Sequence, residues 1–578
     1  MTSAATSIPP ADPIPMRPGP VERVQRIGFC LLVGVLLGFV LLRAVGATIQ
    51  LQWPPEWDVL RDYGTAQVLL EGRYPEDPIL VGKTLWYNPL TGAILALAHL
   101  VSGIPVARLG ILLGPYLNLI TPLGLVVLLA RLFGRPAALA GMCLVLFGKH
   151  PANPFWVQLC YAPWLMAPLY APGLMFLTMV VFYRAFRRNS TTGHVLAGAL
   201  LGITFMAHTA PAIIAGGTML LFCSVQALGC VFGRAASPGA ETSADRADKK
   251  EAGRLLGRFA VLLLAAFMVS LPYTWSILWN YGFHVRNPYP SLFAVDYVLL
   301  DQLTTRLREA LNWRNGFALF GFGVLLYRRD TPARFVLCWT VTAALLMVQH
   351  YVIQALVAWN NVLLPGFAPG HHWAIHWSAA RAALFAVGVA TAGEGVVFLL
   401  GRALPAVPET FLMKARRAGA VAAVCLACGF LYMSHPLTTR SDFQEPELGG
   451  YRQFHEQYIP VYEWILRNTP PEAVFLCRDD SVAMTVVMPA ARKLLFPMLI
   501  YSNPFVDIGS LAQDNARVID AVKAGDREAF CTEASRYAGL YMLVKEDDLT
   551  PPDHTPGPFF AEVYRAGGLV VLKGAPCS

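Results

Sequence analysis

Two aspartates four residues apart, Asp58 and Asp62, stand in a stretch, Trp53–Tyr87, that also carries Arg61, Arg73 and Lys83. A carboxylate can take a proton from a hydroxyl, and neighbouring cations can steady a departing anion. On a helix, a spacing of four puts both carboxylates on one face, one turn apart. The same residues have a plainer use. Asp58 beside Glu56 in a first helical turn complements the helix dipole, worth about 0.3–1 kcal/mol, and long basic side chains near a membrane keep their heads at the interface. Spacing alone does not choose between these uses. More cations and imidazoles stand elsewhere: His208, Arg286, the group His371, His372 and His376, and Arg381. Two of those histidines are four apart, as metal ligands often are, but no acidic residue stands among them. Phosphate contact and an ordinary interfacial loop compete with metal binding, and no metal site is assigned.

The elements that must position these groups are read from hydropathy. Of 578 residues, 55% are hydrophobic and 14% charged, against about 25% charged in soluble globular proteins. The chain reads as a polytopic α-helical membrane protein. Its net charge of +8 comes from basic residues in short loops between apolar runs, which are topology signals and not a nucleic-acid surface. Residues 1–22, rich in Pro and Ala, are expected to be a disordered cytoplasmic tail. Arg23 and Arg26 then precede a run from Ile27 to Ile49, long enough for a core of about 30 Å at about 1.5 Å per residue. That flank places the N-terminus in the cytoplasm and the loop 50–87 outside. Within the loop, Pro54–Pro55 opens and Gly72 closes a short helix, and Val59, Tyr63, Ala66 and Leu70 form a stripe suited to lying on the membrane.

From Tyr87 to Phe182 the chain is almost continuously apolar, ending at Arg184, Arg187 and Arg188. Starting and ending inside requires an even number of crossings, hence six, with a short or re-entrant segment around Pro154–Pro172. A hairpin follows, His194–Ala207 and Ala210–Phe232, turning outside at His208. The run Arg258–Trp279 leads out to the loop Asn280–Asn312, which holds Arg286. Segments Phe317–Tyr327 and Phe335–Ala358 lead to an outer loop Trp359–Trp377 with the three histidines. Ala379–Leu400 and Ala418–Met433 complete about 11–13 crossings. The tryptophans at 53, 57, 86, 359, 373 and 377 suit an interfacial belt first and sugar stacking second. Residues 434–578 have ordinary polarity, with helical patterns near Gly450–Arg467 and Leu511–Tyr537 and strand-like runs at Ala473–Arg478, Leu540–Lys545 and Leu569–Lys573. They suffice for one extracytoplasmic α/β domain. In an oxidising compartment Cys477 and Cys531 are candidates to pair.

Asp58, then a helical segment with Ala66 and Leu69–Leu70 ending in Gly72, then a short loop to Tyr87 and Pro89 opening the next helix, resembles the glycosyltransferase C superfamily. Within it the pattern is most similar to the mannosyltransferase- and arabinosyltransferase-like enzymes that use polyprenyl-phosphate sugars. The resemblance implies an inverting sugar transfer on the outer face, with Asp58 as general base and a glycolipid or glycan acceptor. A soluble C-terminal domain is unsurprising in that group. Asp62 stands where the family commonly has a tyrosine, and so competes with Asp58 for the catalytic role. For the departing phosphate, Arg61, Arg73, Lys83, His208, Arg286, His371, His372, His376 and Arg381 are the candidates. No cofactor is expected, although a divalent cation would suit the chemistry. A lipid-linked donor also needs no nucleotide signature, and neither GxGxxG nor GxxxxGK[ST] occurs after a strand. The competing class is a transporter or lipid flippase without covalent chemistry, but that would place acidic residues inside the apolar segments, where they are nearly absent. A ligase- or polymerase-like enzyme on lipid-linked sugars and a catalytically silent scaffold are further alternatives.

Overall fold

The computed structural model describes residues 19–54, 57–148, 158–232, 243–287, 289–292, 312–360, 370–403, 408–434, 456–549 and 559–577. Residues 1–18, 55–56 and 149–157 and most of the expected outer loops after Asn287 and Asn360 lie outside these residues.

Eight helices among the described residues are long and apolar enough to cross a membrane, and three shorter apolar ones accompany them. The first, α1 (Pro20–Thr48), is followed by α2 (Trp57–Leu70), α3 (Leu90–Ser102), α4 (Val106–Leu117), α5 (Ile120–Phe133), α6 (Arg135–Phe147), α7 (Ala167–Arg187), α8 (Thr191–Ala207), α9 (Thr209–Phe232) and α10 (Ser243–Tyr281). Trp313–Arg328, Thr331–Asn360, Gly370–Ala403 and Glu409–Met433 complete the helical part. The chain is an integral membrane protein. Up to Arg187 the described residues supply five apolar segments where parity asked for six: α1, α3, the continuous α4–α5, α6 and α7. Helices run on past the expected ends wherever no proline or glycine stops them. The helix Gly370–Ala403 therefore starts before the three histidines and carries them in its first two turns, where an outer loop was expected.

The C-terminal residues fold on a five-stranded sheet, β1 (Val474–Cys477), β2 (Lys493–Leu494), β3 (Leu540–Lys545), β4 (Phe560–Ala566) and β5 (Leu569–Gly574), in the order β2-β1-β3-β5-β4. β1 is parallel to β2 and β3, and the β3–β5 and β5–β4 pairs are antiparallel. β3 reads LYMLVK, an unbroken apolar run until its last residue, because both of its faces are covered. Leu540, Met542 and Val544 pack with Val518 and Phe530 of the covering helices Ile508–Ala524 and Arg527–Ala534. Tyr541 and Leu543 join a different core, which they share with Trp53, Leu60, Tyr63 and Ala66 of the stretch after α1. The stretch between α1 and α3 and the C-terminal sheet therefore lie on the same side and form one packed body. Cys531 bonds to Cys577, not to Cys477, which stays a free thiol on β1. The chain end returns past β5 to the helix holding Cys531, bringing the two Cα atoms to 5.3 Å.

Candidate active site

The short helix α2 does not float on a membrane surface with one wet face. Every residue from Val59 to Ala66 is buried. A side chain at Gly64 would put its Cβ 2.5 Å from the Met488 carbonyl oxygen, and one at Gly110 would meet the Tyr63 ring at 2.2 Å. These two glycines let the C-terminal domain and α4 reach α2 at backbone distance. Tyr63 donates its hydroxyl to the Ala107 carbonyl at 2.7 Å. Trp53 packs edge-on against Tyr63 and Tyr462, with centroids 6.3 and 4.9 Å away. Trp53 and Trp373 are thus core residues and not members of an interfacial belt.

On this clamped helix the two aspartates have different surroundings. The Asp58 side chain remains 32% exposed, and its Oδ1 lies 3.3 Å from Arg61 Nη2. Asp62 is only 2% exposed and its Oδ1 has no hydrogen-bond partner among the described residues. Thr91, in the first turn of α3, donates to the Asp62 carboxylate, and its hydroxyl is 2.8 Å from that of Tyr170 on α7. Burial pushes Asp62 up to about 7; Arg61 pulls it back and the neighbouring Asp58 adds to the rise. Arg61 is held between these carboxylates and two rings. Its guanidinium carbon is 3.2 Å from the Tyr87 ring centroid and 5.4 Å from that of Tyr501. Burial works against its charge, but Tyr87, Asp58 and Asp62 outweigh it and keep the group above its ordinary value. The arrangement is an open carboxylate paired with a guanidinium and a buried one that feels its charge.

The remaining sequence candidates separate into three places. Arg73 is occupied by Glu71 at 2.5 Å and Glu76 at 3.0 Å. Its loop is latched to the C-terminal domain by Arg492 to Glu71 at 3.1 Å and Lys493 to Glu76 at 2.5 Å. The Leu494 amide also bonds to the Ile79 carbonyl at 2.8 Å. Arg73 is therefore a structural cation in this fold. Lys83 and Arg286 line a cavity of about 590 Å³ between the first loop, the end of α10 and the C-terminal domain. His208, buried between α8 and α9, packs edge-on against His372 with centroids 4.6 Å apart. The neighbouring Thr209 is tied to Asn88 at 3.2 Å, the residue after Tyr87, so this imidazole pair adjoins the loop that reaches Arg61. His376 is buried one turn beyond His372, and the side chain of His371 lies outside the described residues. Arg381 follows further along the same helix. No group of three or more potential metal ligands forms among the described residues.

Sequence reading missed Thr91, Tyr170 and Tyr501. Thr91 stands two residues after the quoted Pro89 and was open to notice. Tyr170 and Tyr501 carry no local signal, since each reaches the site only through folding.

No family model matches the chain, and no curated protein matches it. Among solved structures, ArnT from Cupriavidus metallidurans, crystallised with undecaprenyl phosphate, aligns over 94% of this chain and 98% of its own, with TM-score 0.55 and 12% identity. The Archaeoglobus fulgidus oligosaccharyltransferase in its apo form aligns over 89% of this chain and 69% of its own, with TM-score 0.49 and 12% identity. The arabinosyltransferase EmbB from Mycobacterium smegmatis aligns over 97% of this chain and 47% of its own, with TM-score 0.36 and 15% identity. At such identities the likeness is one of fold, and it spans the helical part and the C-terminal domain together. The chain has the fold of the glycosyltransferase C superfamily.

Proposed function

We propose that the protein is a membrane glycosyltransferase that moves a hexose or pentose from a polyprenyl-phosphate donor to a hydroxyl of a glycolipid or glycan acceptor. The observation that carries this reading is the Asp58 carboxylate, partly open at the start of a buried helix and paired with Arg61. Asp58 takes the acceptor proton as the hydroxyl oxygen attacks the anomeric carbon from the side opposite the phosphate. The bond from that carbon to the phosphate oxygen breaks, its electron pair leaves with the polyprenyl phosphate, and configuration inverts. Asp62, shut away from solvent, cannot meet the acceptor and acts on Arg61 through its charge alone. Arg61, His208, His372 and Arg381 are the candidates to steady the departing phosphate, while Arg73 is already occupied. The prenyl tail stays in the bilayer.

The reaction is assigned to the outer face of the cell membrane, with the N-terminus in the cytoplasm. Arg23 and Arg26, in the first two turns of α1, support that orientation. So does the Cys531–Cys577 bond, which belongs in an oxidising compartment. The ArnT structure holds undecaprenyl phosphate, and a donor of that class is the one to test here. The test is sugar transfer by membranes given a labelled polyprenyl-phosphate sugar, comparing the natural chain with Asp58→Asn and Asp62→Asn. Transfer should be lost in Asp58→Asn; undiminished transfer there removes the base assignment. Movement of the lipid across the bilayer without glycoside formation favours a transporter instead.

A further inference from the structure

The cavity lined by Lys83 and Arg286 is walled by an aromatic pair that the fold holds rigidly. Tyr281, the last residue of α10, donates to the Thr84 carbonyl at 2.6 Å and accepts from the Thr84 amide at 2.9 Å and from Asn503 at 3.0 Å. Its ring stacks on Phe505 of the C-terminal domain, with centroids 5.1 Å apart and planes 17° from parallel. Three parts of the chain therefore meet here, and the wall between them is flat and aromatic. The charged groups of the lining are not equally engaged. Arg536 faces Glu533 at 3.0 Å and Asp514 at 3.5 Å, and Asp507 turns its Oδ1 to the Gly509 amide at 2.9 Å, capping the helix that follows. The side chains of Lys83 and Arg286 make no hydrogen bond or ion pair among the described residues, so the lining holds two cations that are open to a ligand. A volume of about 590 Å³ falls within the about 300–1,000 Å³ typical of ligand sites.

We propose that this cavity binds an acidic oligosaccharide, the non-reacting part of the acceptor, with sugar rings against the Tyr281–Phe505 wall and a carboxylate or phosphate on Lys83 and Arg286. Flat aromatic faces suit the apolar faces of pyranose rings, and two unpaired cations suit an anion on the same chain. As acceptor recognition, the proposal rests on the transferase reading; as binding, it is measured without any donor.

The experiment is calorimetric titration of the detergent-solubilised full chain with three probes: trigalacturonate, the neutral trisaccharide maltotriose, and inorganic phosphate. Trigalacturonate is expected to bind at least about tenfold more tightly than either of the others. The Lys83→Met/Arg286→Met double variant should lose about tenfold in that affinity, with an unchanged melting temperature because neither side chain has a partner to lose. Should the double variant not fold, the natural chain still decides, since added salt must weaken its trigalacturonate binding. The proposal is overturned if trigalacturonate does not bind, if maltotriose binds equally, if phosphate alone binds equally, or if neither salt nor the double variant changes the affinity. Asp58→Asn should bind as the natural chain does. Lost transfer with retained binding, or the reverse, therefore shows which of the two readings has failed.

Discussion

Two charged clusters lie within twenty residues of each other in the first loop, and the fold treats them in opposite ways. At Glu71, Arg73 and Glu76 every charge meets its opposite, and Arg492 and Lys493 bring the C-terminal domain into the same network. Arg492 is 3% exposed at its side chain and directs all three guanidinium nitrogens to oxygen partners, among them Thr469 Oγ1 and the Ala490 and Leu466 carbonyls. At Asp58, Arg61 and Asp62 the account does not balance. Arg61 Nε and Asp62 Oδ1 are buried with no hydrogen-bond partner among the described residues, and only Asp58 comes within ion-pair distance of the guanidinium. A group buried without a partner costs about 1–3 kcal/mol, so the second cluster lowers stability where the first holds domains together. Perturbed groups of this kind cluster at functional sites.

Exchanging the roles of the clusters should separate activity from stability. The largest effect is expected from Asp58→Asn. Sugar transfer should fall by about 10²–10⁴-fold, the usual contribution of a general base, while the melting temperature of the solubilised protein stays near that of the natural chain. A matching loss of melting temperature would instead make Asp58 a structural residue. Next in size is Arg492→Met, which leaves Glu71 short of a partner and strips the Thr469 and Leu466 contacts. Breaking a buried pair from one side costs about 3–5 kcal/mol. Proteolysis should then release the C-terminal domain from the membrane part at concentrations that leave the natural chain whole.

The sequence reading reached the two clusters unequally, for reasons visible in the residues. Membrane helices, β1, β3 and β5 announce themselves by unbroken apolar runs. β2 is only Lys493–Leu494, and β4 is an edge strand whose Ala561, Glu562 and Val563 are exposed, so neither carries a pattern. The spacing of Asp58 and Asp62 was plain, but that Asp62 is the buried one, with Thr91 on its carboxylate, depends on the fold, and the Tyr501 ring near Arg61 comes from more than four hundred residues later. The same distance hid the pairing of Glu71 with Arg492, and with it the reason that Arg73 is not free for a substrate. Cys577, 46 residues from Cys531, is no further along the chain than Cys477, and the path of the chain end past β5 decides between them.

A smaller perturbation tests how closely the domains meet. Gly64→Ala places a methyl against the Met488 carbonyl, a backbone atom that cannot swing aside as a flexible side chain could. Overpacking of this kind costs about 1–3 kcal/mol. The melting temperature should fall, and transfer should fall with it because Arg61 sits one turn away. A variant with unchanged stability would mean that α2 and the C-terminal domain approach less closely than 2.5 Å implies.

The finest distinction is in pH. Burial holds Asp62 at about 7 in the folded protein against an ordinary value of 3.8, and Asp77 at about 6 for the same reason, eased by the Ile79 amide and Lys493. Both folded values lie above the unfolded ones, so between them the native state binds more protons than the unfolded chain and stability falls as pH rises. The Asp77 contribution fades through about pH 6 and is spent about a unit above it, leaving Asp62 as the principal source of slope around pH 7, bounded by about 1.4 kcal/mol per pH unit. Glu71 and Glu76, held low by Gln67, Arg492, Arg73 and Lys493 against the opposing effect of burial, act in the opposite sense and only at acid pH. In melting temperature measured from pH 5 to 8 and compared with the natural chain, Asp62→Asn should therefore remove a decline centred near pH 7, and Asp77→Asn one centred near pH 6. A decline above pH 6 that survives in Asp62→Asn would show that its carboxylate is solvated, and that the contrast between a balanced and an unbalanced cluster does not hold.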